Sequence, residues 1–297
     1  MTDSASVSQT GAPAHSDSPE WVLSLSCPDG AGIVHAVSGA LVDVEASITE
    51  SQQFGSPDSR RFFLRLQFRT AAPEEVIREA LAPVVRRLGA DIELHPAVRR
   101  QRVLILVSKA GHCLNTLLFQ QRGGQLPIEV VGVVGNHDDL APMAEFYGVP
   151  FHHIPVTPET KADAEATLLD LLRDLHVELV VLARYMQILS PELCEVMRGR
   201  VINIHNSFLP SFKGAKPYHQ AHDRGVKIIG ATAHYVTSDL DEGPIIEQDV
   251  ERLTHADSAR DFVHMGQEIE ASVLARAVKW HTQGRVLLDG HRTVVFR

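Results

Sequence analysis

Beyond residue 100 the chain holds runs that are apolar almost without a break: Val103-Leu-Ile-Leu-Val107 after Arg102, Leu179-Val-Val-Leu-Ala183, and Val201-Ile-Asn-Ile204. A strand lying on a core with its other side in water alternates apolar and polar residues, so an unbroken run marks a strand buried on both faces. Burial on both faces requires helices above and below a sheet. The intervening sequence predicts them, from about Leu114, over Pro142 to Tyr147, over Leu168 to Leu175 and over Pro191 to Met197, with a further strand from Ile128 to Val134. Strands alternating with helices specify an α/β domain with a parallel, doubly wound, Rossmann-like sheet. Such sheets bind ligands outside the carboxyl ends of their strands, where Asn136, Arg184 and Asn203 fall.

The first hundred residues follow another rhythm. Trp21 to Ser26 alternates as a strand and runs into Cys27-Pro-Asp-Gly-Ala-Gly32, a turn with two glycines that precedes a predicted helix from Ile33 to about Val44. Ala46 to Phe54 and Arg61 to Phe68 read as strands around Gly55-Ser56-Pro57-Asp58. Pro73 to Leu88 is amphipathic, with Pro73 suited to the first helical position, and Asp91 to His95 closes the set as a strand. The order β-α-β-β-α-β is that of a ferredoxin-like α+β domain. The expected division is a disordered tail over 1–19, a first domain over 20–95, a linker over 96–101 and a second domain over 102–297.

Charge and composition remove several classes of function. At 297 residues, 44% of them hydrophobic and 22% charged, the chain can bury a real core. A formal net charge of -9 argues against a general nucleic-acid or anionic-membrane binder, whose footprint would be basic. Cys27, Cys113 and Cys194 are odd in number and widely spaced, which indicates neither a disulfide framework nor a zinc knuckle. The first 19 residues lack the apolar core of a signal peptide, and no apolar run approaches the length of about 18 residues of a membrane span. The expectation is a cytoplasmic protein.

The polar residues with chemical potential gather between Asn203 and Ile246. Asn203 and His205 are two apart where a strand gives way to a loop, so both side chains can point to one side of the sheet edge. A long strand, Lys227 to Val236, leads to the acidic loop Thr237-Ser-Asp-Leu-Asp241-Glu-Gly243, and another strand follows from Pro244 to Val250. An amide, an imidazole and a carboxylate suit acyl or formyl transfer. The bland alternatives are an Asn capping a turn beside a satisfied His, and a turn-forming Asp241 before Gly243. The loop expected from Ser207 to Gly214 is predicted to expose Phe208 and Phe212 beside Lys213 and Lys216, as an aromatic, anionic ligand requires. His137-Asp138-Asp139 and His152-His153 lack metal-ligand spacing, and no metal is expected.

INIHNSFLPSFKGAKPYHQA, GATAHYVTSDLDEGPII, VVLARYMQILSPEL, CPDGAGIV and VSKAGHCLNTLL, in their order along Trp21 to Phe296, resemble the 10-formyltetrahydrofolate deformylases. The resemblance implies an ACT domain followed by a formyl transferase domain and hydrolysis of 10-formyltetrahydrofolate to formate and tetrahydrofolate, in one-carbon and purine metabolism. It implies no cofactor, the folate being the substrate. The family's catalytic Asn, His and Asp map onto Asn203, His205 and Asp241. The folate site maps onto Arg184, Met186, Gln187, Ile188 and Leu189 with Val236, Thr237, Asp239 and Leu240, among which Met186, Ile188 and Leu189 could equally be core. An amino-acid effector maps to Asp29, Gly30, Ala31 and Gly32 at an interface between paired domains, which predicts a homo-oligomer; a purely structural pairing is the alternative. Glycinamide ribonucleotide formyltransferases carry a Gly-rich loop after the first strand of this domain to cradle a phosphate. Ser108-Lys-Ala-Gly-His-Cys-Leu-Asn115 keeps one glycine there, which points to water as acceptor. An amine acceptor and a non-catalytic folate or amino-acid sensor are the competing readings. The chain departs from the family pattern at Asn206, where a second His is usual, and at Gly30-Ala31, where many members have a larger residue.

Overall fold

A computed structural model describes residues 18–206 and 217–297, in two compact units that divide between Ala97 and Val98. In the first, β1 (Glu20–Pro28), α1 (Ile33–Val42), β2 (Ser47–Ser56), β3 (Arg61–Arg69), α2 (Glu74–Leu88) and β4 (Asp91–Pro96) follow in the expected order. Their sheet is antiparallel, in the order β2-β3-β1-β4. Leu23, Leu25, Leu64, Leu66 and Phe68 of the strands pack on Val37, Leu41, Ile77 and Leu81 of the two helices. Pro73 sits one position earlier than expected, as the N-cap of α2 in an extended conformation, while Gly89 ends that helix at φ 57°. A left-handed residue there turns the chain at little steric cost only if it is Gly.

The second unit comprises β5 (Gln101–Val107), α3 (His112–Arg122), β6 (Ile128–Gly135), α4 (Ala141–Phe146), β7 (Phe151–His153), α5 (Lys161–Asp174), β8 (Leu179–Leu182), α6 (Pro191–Val196), β9 (Val201–His205), α7 (Pro217–Asp223), β10 (Ile228–Tyr235), β11 (Ile245–Arg252), α8 (Ala259–Thr282), β12 (Val286–Asp289) and β13 (Arg292–Val295). Seven strands form one sheet in the order β11-β10-β9-β8-β5-β6-β7, and β12 and β13 form a separate hairpin. Burial on both faces is visible in β5 itself. Val103, Ile105 and Val107 join the core under α3 and α8, and Leu104 and Leu106 join the core under α5 and α6.

The wholly parallel sheet expected from the apolar runs is corrected here: β9 through β7 are parallel, but β10 runs antiparallel to β9, and β11 antiparallel to β10. β10 is as buried as the parallel strands, so its apolar sequence does not reveal its direction. Two helices also begin earlier than the periodicity suggests, α3 at His112 and α5 at Lys161. The expected linker over 96–101 is shorter, because Pro96 ends β4 and Gln101 begins β5. Sequence reading did not find β7, the β12–β13 hairpin or α8. The last is a 24-residue helix whose start is fixed by Ser258 and Asp261 in a reciprocal capping box. From β5 the chain proceeds through β6 to β7 on one side and resumes at β8 on the other, so the topological switch point lies between β5 and β8. No helix among the described residues is long and apolar enough to cross a membrane.

Candidate active site

Strand β9 extends one residue further than expected and includes His205, so Asn203 and His205 stand on the same face of a strand by its twofold repeat. The antiparallel partner sets what they meet. Register pairs Asn203 with His234 and His205 with Thr232 across β9 and β10. His234 is buried, and its Nδ1 lies 2.9 Å from the carbonyl oxygen of Tyr235, which can only accept. Nδ1 therefore carries the proton, and Nε2 accepts from the Asn203 amide, Nδ2, at 3.2 Å. Burial lowers the His234 pKa against the opposing pull of the Tyr235 carbonyl and Asp241, which keeps the ring neutral and the amide orientation fixed. One Nδ2–H of Asn203 is thus used, and the other remains for a ligand.

Beyond β10 the chain folds back so that Asp241, at φ 58°, places Oδ1 3.3 Å from His205 Nδ1 and 3.8 Å from His234 Nε2. The expected trio is brought together. With Nδ1 of His205 turned to the carboxylate, Nε2 is the nitrogen left to exchange a proton. The loop carrying Asp241 is held by Thr237 Oγ1 donating to the Asp239 carbonyl at 3.1 Å, and by Glu242 N–H donating to the same carbonyl at 3.3 Å. Gly243 ends it beneath Tyr235, so close that a Cβ at Gly243 would lie 1.7 Å from the Tyr235 carbonyl oxygen.

The segment after β8 lies at the switch point and divides in character. Met186 and Ile188 are largely exposed, as is Leu240 from the Asp241 loop, whereas Leu189 is buried in the core beside α5 and α6. Gln187, Ile188 and Leu189 line a cleft with Ile154, Val156 and Lys161. Exposed large apolar side chains beside a polar cluster are a mark of a ligand surface. Met186 N–H donates to Ser108 Oγ at 2.9 Å, and Ser108 Oγ donates to Asn136 Oδ1 at 2.6 Å, which ties the segment to the ends of β5 and β6. Asn136 is buried in this support. Val236 N–H bonds the Val201 carbonyl, and Thr237 and Asp239 are exposed. In the first unit Asp29, Gly30, Ala31 and Gly32 are all exposed, with Gly32 at φ 81° as the N-cap of α1. Phe208, Phe212, Lys213 and Lys216 lie outside the described residues.

One cluster was not anticipated. Glu270 of α8 is 1% exposed, and ligand-type atoms of His112, Cys113 and Glu270 lie within 4.8 Å of one another. Its carboxylate is already engaged: His112 Nε2 is at 2.8 Å, Tyr218 Oη donates at 2.5 Å, and Arg184 Nε is at 3.3 Å. Burial raises the Glu270 pKa, but the His112 bond, the Arg184 charge and the Tyr218 bond outweigh it and the net direction is down, so the group is a carboxylate. Burial also raises the Cys113 pKa well above its usual value, and the Glu270 charge adds to this, so the thiol is neutral. A neutral thiol and a carboxylate already paired with a guanidinium make a poor cation site.

Residues 101–278 match the family described as Formyl transferase. A formyltetrahydrofolate deformylase of Corynebacterium sp. strain P-1 is 50% identical over 95% of this chain and 100% of its own length. The chain belongs to the formyltetrahydrofolate deformylase family. Another member, from Bacillus subtilis, is 46% identical over 92% of this chain and 93% of its own. The crystal structure of the formyltetrahydrofolate deformylase of Burkholderia mallei superposes with a TM-score of 0.91 at 49% identity, covering 94% of this chain and all of that one. Deformylase-family likeness therefore extends across both units. His234 and Glu270 were missed because neither stands within a few residues of the trio in sequence. The available signals were the register of β10 opposite Asn203 and a lone Glu in the apolar run from Ile269 to Leu274.

Proposed function

We propose that this protein hydrolyses 10-formyltetrahydrofolate to formate and tetrahydrofolate, with Asn203, His205 and Asp241 at the reacting centre. The observation that carries the reading is the placement of Asn203 and His205 on one face of β9 with Asp241 3.3 Å from the imidazole, in a chain whose relatives are deformylases from end to end. His205 Nε2 takes a proton from water as the water oxygen bonds the formyl carbon, and Asp241 balances the imidazolium. The spare Nδ2–H of Asn203 stabilises the oxyanion. When the C–N bond breaks, His205 returns the proton to the departing N10, which leaves tetrahydrofolate and formic acid, and the acid releases the second proton of the water to solvent as formate. No cofactor enters this scheme. Met186, Gln187, Ile188 and Leu240 are the apolar and amide contacts for the pterin, with Thr237 and Asp239 beside them and Leu189 and Val236 behind.

The decisive assay is formate release from 10-formyltetrahydrofolate in the absence of any amine. Stoichiometric formate and tetrahydrofolate are expected; an obligatory amine acceptor would make the protein a formyltransferase instead. The reading places it in cytoplasmic one-carbon metabolism. The βαββαβ order and exposed Asp29 to Gly32 turn support an ACT-type ferredoxin-like first domain that pairs between copies and takes a small amino acid. Sedimentation equilibrium is expected to give a homo-oligomer, and a monomer alone at micromolar protein would refute the pairing.

A further inference from the structure

The buried carboxylate on α8 sits at one end of a polar chain that ends beside the proposed base. Glu270 holds Arg184, whose Nε is 3.3 Å from Oε2 without hydrogen-bond alignment. The other end of that guanidinium reaches Asn206. With the amide oriented as its neighbours require, Asn206 Oδ1 accepts from Arg184 Nη1 at 3.1 Å and Nη2 at 3.3 Å. Asn206 is the residue immediately after His205, just beyond the end of β9. Three elements distant in sequence, α8, the β8 terminus and the β9 terminus, are thereby joined through one ion pair.

The surroundings are built for this carboxylate. Gly266 stands one helical turn before Glu270 on the same face of α8, and a Cβ there would lie 2.2 Å from Tyr218 Cζ. The missing side chain lets the Tyr218 ring cross the helix and donate to Glu270 Oε1, while His112, the first residue of α3, bonds Oε2. Arg184 adopts φ 66°, a conformation a non-Gly residue holds only where its surroundings enforce it.

We infer that Glu270 is a positioning residue for the hydrolysis proposed above, acting through Arg184 and Asn206 to hold the β9 terminus and with it His205. The inference rests on the catalytic reading of His205. It makes Arg184 a strut and not a folate contact, and it gives Asn206 a task that a charged imidazolium, with both ring nitrogens donating, could not perform, because the position must accept from a guanidinium.

Glu270→Gln keeps the shape and an acceptor oxygen but removes the charge that fixes Arg184. It is expected to lower kcat about tenfold while KM changes less than about twofold, since the pocket stays intact and only the reacting geometry shifts. Asn206→Ala cuts the same chain at its half-buried end and is expected to reproduce that split. The double variant is expected to be no slower than the slower single, the mark of two groups acting as one unit. Fully additive losses, a loss expressed in KM alone, or wild-type kcat in Asn206→Ala would each overturn the inference, the last even if Glu270→Gln fails to fold. His205→Ala is assayed alongside: if it retains hydrolysis, the catalytic reading falls. If it is inactive while Asn206→Ala is unaffected, only the positioning role falls.

Discussion

His205→Ala is expected to slow formate release by about 10²- to 10⁴-fold, the range that a positioned acid–base group contributes. The argument is geometric. Asp241 Oδ1 stands 3.3 Å from Nδ1, which leaves Nε2 as the proton acceptor, and the neighbouring His234 cannot substitute because its Nδ1 proton is held by the Tyr235 carbonyl and its Nε2 by Asn203. Asn203→Ala removes the oxyanion donor and is expected to cost about 10²- to 10³-fold, largely in kcat. Because the two act on one transition state, the double variant should be little slower than the slower single. Single-turnover formate release measures all three. Wild-type rates in these variants would favour a non-catalytic sensor.

The second large effect is expected at a residue with no side chain. Gly243→Ala would set a Cβ 1.7 Å from the Tyr235 carbonyl oxygen, a backbone atom of β10 that cannot turn aside. Tyr235 also donates its N–H to the Pro244 carbonyl at 2.9 Å, so the β10–β11 junction must open for the methyl group to fit. Overpacking of this kind costs about 1–3 kcal/mol, to be read from the denaturant midpoint. Activity should suffer more than stability. The displaced carbonyl is the acceptor that fixes the His234 tautomer, and Asp241 is two residues away, so a loss of about 10²-fold or more in kcat is expected from a shift of about 1 Å. Gly39→Ala is the control: it lies in α1, where an added methyl would meet nothing within 4 Å, and it should leave activity unchanged. A Gly243→Ala protein with normal kcat would show that the loop does not hold Asp241 in the way described.

Much of the fold was legible because burial writes itself into periodicity. The unbroken run at β5 implied helices on both faces, and alternation in the first hundred residues implied the smaller antiparallel sheet. Strand direction was not legible, since β10 is buried on both faces whichever way it runs. Of the site, the spacing of Asn203 and His205 followed from the twofold repeat of a strand. Their union with Asp241 depends on the turn at Gly243, whose necessity is evident only from the carbonyl above it. Leu189 shows what a motif leaves open: folate contact and core were equal readings for it, and the structure buries it beside α5 and α6 while it also lines the cleft with Gln187 and Ile188. His112 lies in a segment that the sequence marks only as poor in glycine, and nothing local to it foretells that α3 starts there with Glu270 opposite.

The order in which the chain is made gives the long C-terminal helix a further meaning. Proteins emerge from the ribosome amino end first, and Asn203, His205 and Asp241 are all outside before Ala259, where α8 begins. Until then β9 and β10 lack the helix that covers them, and Arg184 has no carboxylate to answer its charge. The nascent chain therefore carries every proposed reacting group without the frame that makes them act together. Synthesis ends with the part that sets the earlier parts in place, so a polypeptide interrupted before α8 would contain the reactive groups without the helix that frames them.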